Sequence, residues 1–447
     1  MSVKTLHPGI TAERIAEWQL MRDAVDGESA IKRRGEVYLA KPSGYKALPN
    51  AGADAYSAYL ARAQFPEIVA PSLSAMIGII HGAEIKIEMP DAMGYIWEDA
   101  DGLGLPLEAF SKRITRELLT IGRYGVLTDA PEAGGEPFLV GYPTDCIINW
   151  DAGFFVLDET SVRRDGFIWK AFERYRVLQI DAAAYAQTLY QAQAGNAGLL
   201  EMDVPVLSYG GKRLPRIPFA VANATDLSPK IESPPLIGVA RAALAIYQLS
   251  ADYRLQLYMS GQETLVAING DKPTMVGAGV VHEMKGGEGQ TPDLKYVSPT
   301  CAGIEAHLKA MEDNRIVAMQ AGARLLEAGG SIQESGTARK LRFASETATL
   351  ASVAQSSCAL LERALRNVAM MKGLNEDEVI VTPPVDLLDR TMTPTDFATL
   401  FGVYERGGMS YQTYYDAGQR GGIFSAERNA DEELNLIDDQ NIASDEA

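Results

Sequence analysis

Apolar positions divide the chain before anything else does. Ile15, Trp18, Met21 and Val25 recur at steps of 3, 3 and 4, which places them on one helix face, and Thr11 stands where an N-cap belongs. Helical patterns follow over about 52–64 and 68–80. Ile85, Ile87 and Met89 then alternate with Glu84, Lys86 and Glu88, the pattern of a half-buried strand. Leu107, Phe110, Ile114, Leu118 and Ile121 return to steps of 3 and 4 and predict an amphipathic helix, ended by Gly122 and Gly125.

From about 126 to 222 the apolar runs are short and broken by Gly, Pro and Asp: FLVGY at 138–142, CIINW at 146–150, FFVL at 154–157, FIWKAFERYRVLQI at 167–180 and IPFAVANA at 217–224. This texture predicts antiparallel strands of modest length. The most regular pattern comes next. After Pro234 and Pro235, residues that a first helical turn tolerates, Leu236, Val239, Ala243, Ile246, Ser250, Tyr253 and Leu257 step 3-4-3-4-3-4. A helix over 235–260 would span about 39 Å at ~1.5 Å per residue, with Gly261 stopping it. Residues 261–302 read again as short strands and Gly/Pro turns. A second long helix is expected over 303–328, with Ile304, Leu308, Met311, Met319 and Leu325 on its apolar side and Gly329 and Gly330 breaking it. The polar stretch 329–340 precedes a third helix over 341–372 that carries Leu350, Val353, Leu361, Leu365 and Val368. Pro383 and Pro384 mark a linker, and a shorter helical module runs to about 425. Residues 426–447 hold eight acids and one base, Arg428, a block expected to stay solvated and at least partly disordered. No sequence repeat is visible.

Length and charge narrow the classes. The 447 residues suggest about three domains at roughly 150 residues each. Hydrophobic residues make up 47% and charged residues 22%, ordinary globular values. Lys+Arg 41 against Asp+Glu 59 gives a net charge of −18. A protein that grips phosphates carries a basic surplus, so a static DNA binder is disfavoured. Cys146, Cys301 and Cys358 are far apart with no CxxC, which argues against a disulfide framework or zinc ribbon and for a reducing compartment. The charge-free stretch Ile68–Ile80 contains Pro71 and falls short of the ~20 residues a membrane span needs. The N-terminus lacks an apolar signal core, so the chain is expected in the cytosol when made, with no membrane partner.

Catalytic motifs do not emerge. There is no GxxxxGK[ST], HExxH, GxSxG or EF-hand pattern, each of which has a defined mechanical role. His7, His81, His282 and His307 are too far apart in sequence to form a helical metal pair. Cys301 with His307 is a conceivable nucleophile pair, and carboxylates are abundant, but a surface role is the plainer reading of both. The run GGEGQTP at 286–292 lacks a following Lys–Ser/Thr and reads as a turn rather than a phosphate cradle. No cofactor or metal is expected, and the chain is expected to be no enzyme.

The order of elements and several strings resemble the portal (head-to-tail connector) proteins of tailed bacteriophages. LPRIPFAVANA followed by PPLIGVARAALAIYQLSADYR resembles the approach to a portal's first stem helix. Glu346-Thr347-Ala348-Thr349 resembles the start of the helix behind the tunnel loop. FGVYERGGMSYQTYYDAGQRGGIF with its acidic tail resembles portal C-termini, and EWQLMRDAVDGESAIKRRGEVYLAKPSG resembles an early segment of one branch. The resemblance covers nearly the whole chain. It implies an α+β, portal-like, ring-forming fold: an α/β wing at 1–234, stem helices at 235–260 and 303–328, a small β-rich clip at 261–302, a tunnel loop at 329–340, a long helix at 341–372, a helical crown at 373–425 and the tail at 426–447.

The same resemblance implies a function. Such subunits form a ring, typically dodecameric, at one capsid vertex of the virion, assembled in the host cytoplasm. Double-stranded DNA is packaged and ejected through the ring. The terminase large subunit, the major capsid and scaffold proteins, and later a head-tail adaptor are its partners. Candidate channel residues are Arg339 and Lys340, candidate stem-packing residues are Leu236, Val239, Ile246 and Leu257, and the candidate clip turn is Gly286, Gly287 and Gly289. The charge agrees with a passive conduit, because each phosphate held by Lys or Arg adds affinity with a salt slope of about −0.9 and opposes sliding. The residues alone leave open another virion component (capsid, scaffold or adaptor) and an unrecognised hydrolase.

Overall fold

In a computed structural model, residues 2–48, 51–82, 84–131, 135–182, 184–192, 199–203, 213–261, 263–270, 272, 275–276, 283–285, 287–297, 303–322, 336–384, 394–420, 423–424 and 428–436 are described. The chain is mixed helix and sheet, 49% helical and 21% strand. It divides into two compact units rather than about three: Met1–Gly78 with Lys86–Thr382, and Ile79–Ile85 with Pro383–Ala447.

The N-terminal periodicity folds as helix. In α1 (Ala12–Asp26) the Thr11 hydroxyl caps the first turn by accepting from the Arg14 N–H at 3.3 Å. The buried face is Trp18, Leu20, Met21 and Ala24, while Ile15 is 45% exposed, so the face is rotated from the one that spacing gave. The polar Asp23 is also buried there. It accepts from the Tyr38 hydroxyl at 2.6 Å and from Arg34 Nε at 2.8 Å. Short helices α2 (Glu28–Arg33) and α3 (Ser43–Lys46) lead to α4 (Ala51–Arg62) and α5 (Val69–Gly82). The alternating segment is β1 (Lys86–Glu88), and α6 (Leu107–Thr120) buries Leu107, Phe110, Ile114 and Leu118 completely.

All strand pairs in the described chain are antiparallel, as the short broken runs predict. The strands are β2 (Arg123–Asp129), β3 (Phe138–Pro143), β4 (Ile147–Asp151), β5 (Phe154–Asp158), β6 (Ser161–Asp165), β7 (Ile168–Phe172), β8 (Arg174–Asp181), β9 (Ala184–Ala192), β10 (Leu199–Asp203) and β11 (Phe219–Asn223). They form a five-stranded sheet ordered β10-β9-β8-β5-β4, a three-stranded sheet ordered β11-β2-β3, and the separate hairpin β6-β7. The period of two is visible in the core: Ile147, Leu157 and Leu178 join one cluster with Phe219 and Val221, and their neighbours Ile148, Val156 and Val177 join another. An ion-pair network fastens this region. Glu159 takes Arg176 at 2.5 Å, Arg174 at 2.7 Å and the Tyr142 hydroxyl at 2.5 Å, and Asp129 takes Arg176 at 2.8 Å.

The long helices follow: α7 (Ile237–Ser260), the strand pair β12 (Thr264–Ile268) and β13 (Asp293–Val297), α8 (Ile304–Gln320) and α9 (Gly336–Lys372). α9 lies beside α6 and over β2 and β11, burying Leu350, Val353, Leu361, Leu365 and Val368. It is tied there by Thr128, whose hydroxyl donates to the Ala364 carbonyl at 3.0 Å, and by the Thr115–Ser357 hydroxyl pair at 2.8 Å. β14 (Ile380–Thr382) closes the larger unit by pairing with β1, Ile87 opposite Val381. The smaller unit contains α10 (Pro394–Glu405) and α11 (Tyr411–Arg420), packed through rings such as Phe397 with Tyr414 at 5.8 Å and Tyr415 with Phe424 at 5.0 Å.

Five boundaries differ from expectation, each for a local reason. The helix expected from 235 begins at Ile237, because Leu236, at φ −98° and ψ 12°, leaves helical geometry and serves as the N-cap. The helix expected to reach 328 ends at Gln320, where Gly322 takes φ 131°. Leu325 lies outside the described residues. Residues 336–340, expected in the polar loop, are helical, as suits the helix formers Ala338, Arg339 and Lys340. Residues 373–382, expected in the crown, belong to the larger unit through the β1–β14 ladder. The acidic tail is not wholly irregular: 430–436 is helical. Its start has a reciprocal cap, Asn429 Oδ1 accepting from Glu432 N at 2.8 Å and Glu432 Oε2 accepting from Asn429 N at 3.1 Å. Residues 437–447 lie outside the described residues.

Candidate functional site

The helices α7 and α8 pack against each other along their length. Gly238 of α7 lies so close to Ala321, just beyond α8, that a Cβ on the glycine would sit 2.9 Å from the alanine's. At the far end Gln256 meets His307, Nε2 to Nε2 3.1 Å, and Gly303 adjoins Gln256. The two helices therefore run antiparallel, and β12–β13 spans the gap between them, Val266 opposite Lys295. Small residues at the base allow the close approach. Leu236 and Val239 pack around Gly322 together with Met76.

Burial along α7 is graded. Ile237, Val239, Ala240, Ala243, Tyr247, Ser250 and Ala251 are buried. The Ser250 hydroxyl accepts from Gln64 N and donates to Gln64 O, both at 2.9 Å, and the Tyr59 hydroxyl donates to Asp252 at 2.6 Å, which ties the middle of α7 to α4 and its following loop. The last turn is bare: Leu257, Tyr258 and Met259 are 41–49% exposed. On α8, Leu308, Ile316 and Val317 are 42–50% exposed. A groove of about 460 Å³ runs beside the pair, lined by Ile68, Ile246, Leu308, Met311 and Met319 with Glu67, Glu312 and Arg315 among them.

The residues singled out by sequence thus fall into three environments. Leu236 and Val239 are buried, Ile246 lines the groove and Leu257 is exposed. In the segment between β12 and β13, Gly287 and Gly289 form a turn in which Gln290 N donates to Gly287 O at 3.0 Å, with Gly289 at φ 80°. Gly286 lies outside the described residues. Arg339 and Lys340 are in the first two turns of α9.

No chemistry gathers elsewhere among the described residues. No group of His, Cys, Asp or Glu is placed to hold a metal, and no helix is long and apolar enough to cross a membrane. Burial pushes the Cys146 thiol up to about 11 and the Cys358 thiol up to about 12, which makes both poor nucleophiles. Cys301 lies outside the described residues. His7 stacks on Trp150 at 3.7 Å, and burial, then the nearby Arg123, pull its pKa down. Arg123, which sequence reading passed over, packs against the same indole at 4.1 Å and donates to Thr144 Oγ1 at 3.2 Å. It follows Gly122 where the helical pattern stops, and nothing in its spacing sets it apart.

Comparison with known proteins gives a family match over the same region. The profile of a family described as a domain of unknown function (DUF4055) matches residues 235–371, the stretch from the approach to α7 to the end of α9. No curated protein matches the sequence. Among solved structures, the chain is similar to a chain from the neck of a native GTA particle computed with C12 symmetry, at 13% identity and TM-score 0.39 over 78% of this chain and 88% of that one. It is similar to one from the neck of an empty GTA particle computed with C6 symmetry, at 12% identity and TM-score 0.41 over 81% and 91%. It is also similar to one from the virion of a native gene transfer agent particle, at 13% identity and TM-score 0.41 over 78% and 89%.

Proposed function

We propose that this chain is a portal subunit: a non-catalytic component of a tailed-phage type of head that closes into a ring, about a dozen copies, around a channel for double-stranded DNA. The observation that carries the reading is the antiparallel α7–α8 pair, joined in sequence through a two-stranded sheet, whose apolar side chains Leu257, Leu308, Ile316 and Val317 are exposed among the described residues. A slender helix pair cannot bury all its faces internally. In a cyclic assembly one face packs on a different face of the next copy, which would cover apolar side chains exposed on more than one side of the pair. The likeness of these strings and of their order to portals supports the same reading.

In this assignment α7 and α8 are the stem, β12–β13 with its Gly287–Gln290 turn is the clip that meets the packaging motor and later the adaptor, and Arg339 and Lys340 stand near the passing phosphates. The net charge of −18 suits a wall along which DNA slides, since repulsion acts over about 8 Å at physiological salt. Negative-stain microscopy with mass measurement of the purified chain tests the proposal. Closed rings with an axial pore are expected. Sheets, shells, open filaments or a persistent monomer would point to a capsid, scaffold or adaptor role, or to an enzyme.

A further inference from the structure

The hairpin β6–β7 is anchored at its base and stands largely exposed among the described residues. Its legs leave from Glu159, held by Arg174 and Arg176, yet in the described chain its strands pair only with each other. Val162, Ile168 and Trp169 are 63–65% exposed, and Phe167 at the tip is fully exposed. Register sorts the side chains. Val162 faces Ala171 and Arg164 faces Trp169 on one side; Ser161, Arg163 and Asp165 face Phe172, Lys170 and Ile168 on the other. The second side is internally satisfied, with Lys170 on Asp165 at 2.5 Å and the Arg163 guanidinium 3.7 Å from the Phe172 ring. The first side presents an indole, a valine and an alanine to solvent beside one arginine. A lone two-stranded hairpin is marginal in water and holds its shape when a third surface packs on it.

Charge says what that surface is. The twelve residues of the hairpin contain Arg163, Arg164 and Lys170 against one acid, Asp165, within a chain whose net charge is −18. With Lys170 offset by Asp165, the hairpin keeps a surplus of positive charge, Arg164 standing beside the exposed indole, and a second copy of this chain carries the opposite net charge. We propose that residues 161–172 are an assembly arm that docks onto an adjacent copy of this chain, Val162, Phe167 and Trp169 burying their apolar surface and Arg164 meeting that copy's surplus of acidic side chains. Each copy then carries one arm and one acceptor, the arrangement that propagates head to tail around a ring. The inference rests on the ring reading for the closed geometry, not for the identity of the partner.

The test uses the full chain with p-benzoylphenylalanine replacing Phe167, irradiated after purification, and in parallel the double variant Phe167→Ser/Trp169→Ser. Adducts between two copies, mapped by mass spectrometry, are expected. The double variant should keep its circular dichroism spectrum and need about tenfold more protein for half-assembly, the loss of one modest hot spot. Rings that form without inter-copy adducts and ignore the double variant overturn the arm and leave the ring standing. Arm-dependent adducts in a chain that never closes overturn the ring and keep the arm. A monomer without adducts, or adducts to co-purified nucleic acid alone, overturn the arm. The crosslink is read on a chain whose hairpin keeps an aromatic tip, so misfolding of the serine variant cannot decide the matter.

Discussion

Arg123 is 1% exposed and has no carboxylate within reach among the described residues. Burial pulls its pKa from 12.5 down to about 9. The folded state therefore binds its proton less tightly than the unfolded chain, so the cost is present in full below pH 9 and is relieved as pH rises toward 12.5. Replacing an unpaired buried charge with an apolar side chain of similar length is neutral or stabilising. Arg123→Met should unfold in urea at a midpoint equal to or above that of the native chain at pH 7, and the gap should narrow as pH rises above about 9. Gly141 gives the opposite case. A Cβ there would sit 1.8 Å from the Tyr124 hydroxyl oxygen, inside the β2–β3 pair, so Gly141→Ala should lower stability by about 1–3 kcal/mol, the usual cost of overpacking, read by thermal unfolding. Neither residue stood out in the sequence. Spacing shows which positions are apolar, but a lone arginine's burial and a glycine's neighbour are set by strands far apart in the chain.

At the scale of elements, the sequence was clearest where one face carries the whole burden. α6 and α9 bury the leucines and isoleucines that periodicity chose, because each packs one side on a sheet or helix. α1 was turned by its polar side chains: Asp23 is drawn inside by Arg34 and Tyr38, and Ile15 is left out. β9 and β10 went unread because Tyr185, Gln187 and Leu189 face inward with a glutamine among them, whose amide oxygen accepts from Arg176 and Tyr185. The helix at 430–436 was hidden by its own acidity, although Asn429 and Glu432 have the spacing of a capping box. Asn429→Ala should cost that helix about 1 kcal/mol and speed amide exchange over 430–436. Likewise Gly238→Val should wedge α7 from Ala321, lowering the melting temperature without altering the strand content seen by circular dichroism.

For the whole molecule, the order of long helix, small sheet, long helix and third helix was legible, and the extents of the second and third were not: Gly322 falls inside a run that otherwise looks continuous, and the third helix begins within a stretch whose polar side chains read as loop. The groove could not be read at all, because Ile68, Ile246 and Met311 meet through three separate segments. Ile246→Asp places a charge in that groove and should leave a folded chain with weakened assembly in sedimentation velocity; unchanged rings would separate the groove from the interface. Arg339→Ala with Lys340→Ala should alter the length of DNA retained in packaged heads, measured by pulsed-field electrophoresis. One modest ladder has the longest reach in time. β1 leaves the ribosome early, and its partner β14 emerges roughly 290 residues later, about 15–60 s at ordinary rates of synthesis. A nascent or truncated polypeptide lacks that final clasp, so the larger unit cannot be fastened at this edge until translation is nearly done.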